Sequence, residues 1–145
     1  MKQIATLALV VGSLCGSALC QYSAEFSSYY AGNRYDFRLT REQLSNTPAW
    51  LEEEPNPPLS PRTAQNAALA YLNTLFDNAS AWRIEEIKLV PLRERWVYVV
   101  SFTPPLPRNC QDCLTTPFSV VVTMDGNAIT AVVSRGNQPI PSVNE

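Results

Sequence analysis

The chain has no histidine among its 145 residues. That removes the side chain most often used as a general base near neutral pH, and the commonest metal ligand. Ser–His and Cys–His nucleophile pairs are excluded, as are all zinc sites built on histidine. A basic patch is missing as well: charges of both signs are mixed along the chain, and eleven Lys and Arg face thirteen Asp and Glu. Nucleic acid and anionic membrane surfaces are therefore not expected partners. Carboxylates are present, but Glu85, Glu86, Glu94, Asp112 and Asp125 show no pairing that demands catalysis. No catalytic residue, cofactor or metal is expected. Long apolar runs are also missing, with one exception at the N-terminus.

That exception reads as a secretory signal peptide over residues 1–20. Lys2 supplies a positive start, Ile4 to Leu14 is apolar but for Thr6, Gly12 and Ser13, and small residues follow from Gly16 to Cys20. The run is shorter than the ~20 apolar residues a membrane-spanning helix needs. Cleavage after Cys20 or after Ala18 fits the small-residue rule. Lipidation at either cysteine is disfavoured, because Leu14 precedes Cys15 and Leu19 precedes Cys20. The chain is thus expected to be secreted or periplasmic and, with no second apolar segment, soluble once processed. Loss of Lys2 leaves ten basic residues against thirteen acidic ones, a net charge near −3.

The remaining length suits one domain with a core of its own. Residues 21–58 read as an N-terminal arm. Its first part is rich in Ser and Tyr without a clean period, and a short strand over Tyr35–Leu39 follows. Thr40 and Gln43 form a capping box for a short helix over Arg41–Leu44. Trp50 then falls on an irregular segment, where a tryptophan more often plugs the core edge than serves a ligand. The acidic, proline-rich stretch Glu52–Pro58 is an extended connector.

Residues 59–134 read as an α+β domain. Ser60 is an N-cap and Pro61 sits at the first helical position. Ala64, Ala67, Ala68, Tyr71, Leu72 and Leu75 then recur on one face. Asn78-Ala79-Ser80 is a glycosylation sequon, read first as a helix stop. From Trp82 the period changes to two, with a phase switch at Glu85–Glu86 that suggests a bulge. Strands follow over Arg95–Phe102, Phe118–Met124 and, after an Asp125-Gly126 turn, Ala128–Ser134. Helix followed by four closely connected strands predicts one main helix on a four-stranded antiparallel meander, with an irregular N-terminal extension. The face away from the helix carries Val97, Val99, Val121 and Val132, more apolar than a solvated face requires. Either the segment with Phe37, Leu39 and Trp50 folds over it, the favoured assumption, or Val97, Val99, Val121 and Trp50 form a partner surface. Residues 135–145, with two prolines and no period, read as a disordered tail.

Cys110 and Cys113 lie in a proline-bounded loop. In an oxidising compartment a structural disulfide is the favoured reading. A redox-active pair usually opens a helix, and no helix signal follows here. Zinc would need two further ligands.

The helix start Ser60–Ala68, the strand start Arg95–Tyr98 and the Thr123–Gly126 turn resemble the PepSY and cystatin-like group of small exported α+β domains. That group commonly has Thr-Gly after the turn aspartate, whereas here Gly126-Asn127 follows Asp125. The resemblance implies a non-catalytic module of the kind found in protease propeptides and as free envelope proteins. No cystatin Q-x-V-x-G loop is present, so no inhibitory residue is carried over. The expected function is an exported binding or inhibitory module acting on another exported or envelope protein. The alternative is thiol–disulfide exchange by Cys110 and Cys113.

Overall fold

A computed structural model describes residues 22–106 and 115–136. It overturns the predicted meander: the chain forms two three-stranded antiparallel sheets, ordered β1-β2-β6 and β3-β4-β5, with one substantial helix. The strands are β1 (Tyr22–Tyr30), β2 (Asn33–Thr40), β3 (Arg83–Leu92), β4 (Arg95–Thr103), β5 (Phe118–Thr123) and β6 (Ala131–Arg135). The helices are α1 (Arg41–Ser45) and α2 (Pro61–Leu75), with a 3-10 turn over Ala79–Ala81.

The first correction concerns the first part of the N-terminal arm, read as lacking a period, which forms the strand β1 and pairs with β2. Ala31 and Gly32 both adopt positive φ, +50° and +77°. This is the two-residue turn geometry that matches strand twist, and it pairs Phe26 with Phe37 and Ser28 with Tyr35. Ala24, Phe26 and Tyr30 of β1 pack against the core on one face. The fourth position of that face is Ser28, a hydroxyl where an apolar side chain would complete the period. Ser28 is only 4% exposed. It accepts from the Ser119 backbone N–H at 2.9 Å and donates to the Ser119 carbonyl at 3.1 Å. One serine thereby joins the two sheets.

The second correction concerns the last strand. After the turn, Ile129 N–H donates to Val121 C=O and Thr123 N–H to Asn127 C=O, with a bridge between Val122 and Ala128. Backbone groups of residues 119, 121 and 123 point to the same edge of β5, and Ser28 already occupies Ser119. A full fourth strand would collide with β1 there. The chain leaves instead, donates from Ala131 N–H to the Tyr71 hydroxyl at 2.8 Å, and pairs as β6 with β2. The segment over residues 59–134 thus shares a sheet with the N-terminal hairpin.

Other local readings coincide with the structure. Thr40 and Gln43 make both capping-box bonds of α1, and the Ser60 side chain caps α2 with Pro61 in its first turn. Ala64, Ala68 and Leu72 bury the predicted face. The helix ends at Phe76, whose backbone is extended, before Asn78 is reached. The β3–β4 register shifts between Ile84 and Glu86, which makes Glu85 the extra residue of a bulge.

Aromatic rings hold the layers together. Phe118 of β5 lies 5.0 Å from Tyr35, 5.3 Å from Phe76 and 5.9 Å from Trp82, centroid to centroid. Phe76 stacks on Trp82 at 4.9 Å, and Tyr30 meets both edge-on. Strands from both sheets and the end of α2 therefore share one cluster. Each such pair adds about 0.5–1.5 kcal/mol beyond the burial of its area. No helix among the described residues is long and apolar enough to cross a membrane.

Candidate binding site at the Trp50–Trp96 corner

The start of β4 organises the surface with most chemical character. Arg95 donates from its guanidinium to the carbonyls of Leu44 (3.2 Å) and Ser45 (3.3 Å) at the end of α1. Trp96, the next residue, meets Trp50 with ring centroids 5.3 Å apart and planes at 62°. Neighbouring residues of a strand point to opposite faces. The segment from Leu44 to Trp50 therefore passes around this end of the sheet, anchored on one side by Arg95 and on the other by Trp96.

Beyond Trp50 the acidic start of the connector closes a turn over Leu51–Glu54, ahead of its prolines. Glu54 N–H donates to Leu51 C=O at 3.0 Å, and the Glu54 carboxylate accepts from Leu51 N–H at 3.3 Å. The Trp50 indole N–H donates to Glu54 C=O at 3.0 Å. Trp50, Leu51, Glu52, Glu54 and Trp96 line an open cleft of about 450 Å³. Both tryptophans are half-buried, and the glutamates are exposed. A second cleft of about 420 Å³ has the opposite charge balance, with Arg41, Arg93 and Arg95 against Glu94.

Two further polar clusters are internally satisfied. Burial opposes the Asp36 charge, but the Ser27 hydroxyl (2.6 Å), Arg34 (2.6 Å) and Arg38 outweigh it and hold the carboxyl below its ordinary value. Desolvation of Asp125 is likewise overcome by bonds from Thr123 and Asn127, so it too lies below the usual range. Its role is to close the turn before Ala128. Among the described residues no group of three or more His, Cys, Asp or Glu is placed to hold a metal ion.

Of the residues expected on a partner surface, Trp50 lies at the corner and Val99 is half-buried. Val97 and Val121 are fully buried and present no surface to a partner, whereas Val132 is 53% exposed on β6. By strand alternation Val97 shares a face with Arg95, where α1 docks. Phe37 and Leu39 are fully buried, so the N-terminal segment folds back into the core. Cys110 and Cys113 lie outside the described residues, as do residues 1–20, read as a signal peptide. Alternation along β4 places Trp96 on the same face as the buried Tyr98, Val100 and Phe102, and hides its place at the rim. Its position beside the Arg93–Glu94 turn is the signal that marks a strand end.

No protein-family model matches the chain, and comparisons with curated proteins and with solved structures find no match. The likeness to PepSY and cystatin-like domains stays a resemblance carried by the residues quoted above.

Proposed function

We propose that this chain is an exported, non-catalytic binding or inhibitory module whose protein partner docks at the Trp50–Trp96 corner. The observation that carries this reading is the pair of half-buried tryptophans that meet edge to face and together line one open cleft. Tryptophan offers a large apolar body with a polar edge at little entropy cost, and truncating one at an interface centre often costs 2 kcal/mol or more. The basic cleft on the other side of Arg95 adds a charge pattern that fixes the orientation of a partner.

The test starts with capture from the exported proteins of the host on immobilised wild-type and Trp50→Ala chains. The retained protein is then purified and titrated by calorimetry. A partner bound at least about thirtyfold more weakly by Trp50→Ala supports the reading. Equal affinity for the two chains overturns it.

A further inference from the structure

We propose that Asn78 is a glycosylation site, its side-chain nitrogen accepting an oligosaccharide during export; this rests on the reading of residues 1–20 as a signal peptide. Of all the asparagines in the chain, only Asn78 opens an Asn-x-Ser/Thr triplet with x other than proline. In the sequence this triplet competes with a plainer role as the stop of α2. The structure assigns that role elsewhere. The helix ends at Leu75, and the N–H of extended Phe76 bonds to the Leu72 carbonyl. Nor does the Asn78 side chain cap the 3-10 turn that follows it.

What Asn78 does meet is the indole of buried Trp82, whose N–H donates to Asn78 Oδ1 at 3.3 Å. An indole N–H can only donate, so this bond fixes which end of the amide is engaged and leaves Nδ2 as the other. Backbone bonds hold the turn: Ala79 N–H to Phe76 C=O, Ala81 N–H to Asn78 C=O and Trp82 N–H to Ala79 C=O. Ala79, the middle of the triplet, is fully buried, whereas Asn78 and Ser80 are both exposed. The transfer joins Nδ2 to C1 of the first sugar of a lipid-diphosphate-linked oligosaccharide. The C1–O bond to phosphate breaks, the lipid diphosphate leaves with its electron pair, and Nδ2 gives up one proton. The amide carbonyl survives, so the glycosylated chain keeps the Trp82 bond and its turn. Arg83 follows this turn, whereas Trp96 pairs with Pro91. At ~3.3 Å per residue those ends of β3 lie roughly 25 Å apart, so the sugar is borne at the end opposite the Trp50–Trp96 corner.

The experiment translates the full chain, with its own N-terminus, in the presence of endoplasmic-reticulum microsomes. Resistance to added protease reports transport, and a mass step removed by peptide-N-glycosidase reports the glycan. One step is expected on the protected chain, with aspartate recovered from Asn78 after the enzyme. Asn78→Gln and Ser80→Ala should each abolish it. Ser80→Ala keeps Asn78 and its bond to Trp82, so loss of the step there does not come from a disturbed turn. A protected chain without the step, or a step that survives Ser80→Ala, overturns the acceptor site. A chain left open to the protease overturns the signal-peptide reading and the proposal with it. The two failures are thereby told apart, and neither touches the docking of a partner at Trp50.

Discussion

Ser28→Ala tests the join between the sheets. The substitution removes a buried hydroxyl that serves two backbone groups of Ser119, accepting at 2.9 Å and donating at 3.1 Å. It leaves the amide and the carbonyl of Ser119 facing β1 without partners. Each intramolecular hydrogen bond contributes about 0.5–1.5 kcal/mol net, and an unsatisfied buried group costs about 1–3 kcal/mol. The site is only partly buried, so the lower part of these ranges applies. A loss of about 2 kcal/mol is expected. With a slope of about 2 kcal/mol/M it appears as a fall of about 1 M in the urea midpoint, the slope itself unchanged. Hydrogen exchange of the Ser119 amide should accelerate along with it. Ser28→Val supplies the apolar side chain that the alternation lacks, but cannot bond, so it should be no better than alanine. A stabilising Ser28→Val, or a Ser28→Ala chain within 0.5 kcal/mol of wild type, refutes the argument.

Phe118→Ala removes the ring on which both sheets converge and should cost about 3–5 kcal/mol in denaturant unfolding, whereas Phe118→Leu should cost clearly less. Asp36→Asn should destabilise the chain at neutral pH. The folded-state pKa of Asp36 is depressed, so its contribution is present above the ordinary carboxylate value of 3.8 and is lost as pH falls through the lower folded value. Stability measured against pH should bring the Asn variant and wild type together in acid; a gap that persists at low pH would argue against the linkage. Ala31→Gly should stabilise by about 0.5–1 kcal/mol, because φ at position 31 is +50° and the side chain is exposed. For Cys110 and Cys113, a reduction potential below about −300 mV is expected of a structural pair, and a value near −200 to −120 mV would favour exchange chemistry instead.

Local structure was legible wherever chemistry and period agreed. The Thr40–Gln43 box, the Ser60-Pro61 helix start, the α2 face and the bulge at Glu85 all follow from single-segment rules. The arrangement of the sheets was not legible, and two residues explain much of the failure. Ser28 breaks the apolar period of β1, and Ala31 stands where a hairpin turn usually shows Asn or Asp. The alternation of residues 128–134 is correct for a strand but does not name its neighbour, since pairing depends on which edge is open. The candidate site was half legible. Trp50 could be singled out, but its partner Trp96 fits the core alternation of β4 and could be separated from it only by its place at the strand end. Of the valines read as a partner surface, Val97 and Val121 are buried and Val99 is half-buried, and the N-terminal segment does fold back into the core, as the favoured assumption had it.

The pairing of β6 with β2 joins Asn33 to Arg135 across most of the chain. Such a contact sets a temporal order on folding. The hairpin of β1 and β2 and the sheet of β3, β4 and β5 can form from near neighbours, but the outer edge of β2 stays open until residues 131–135 have emerged from synthesis. Closure of a loop that long is slow compared with the local steps. During that interval β2 exposes a strand edge, a template for pairing with another chain. The last strand therefore acts as a late latch, and a chain shortened before residue 131 should be the form that aggregates.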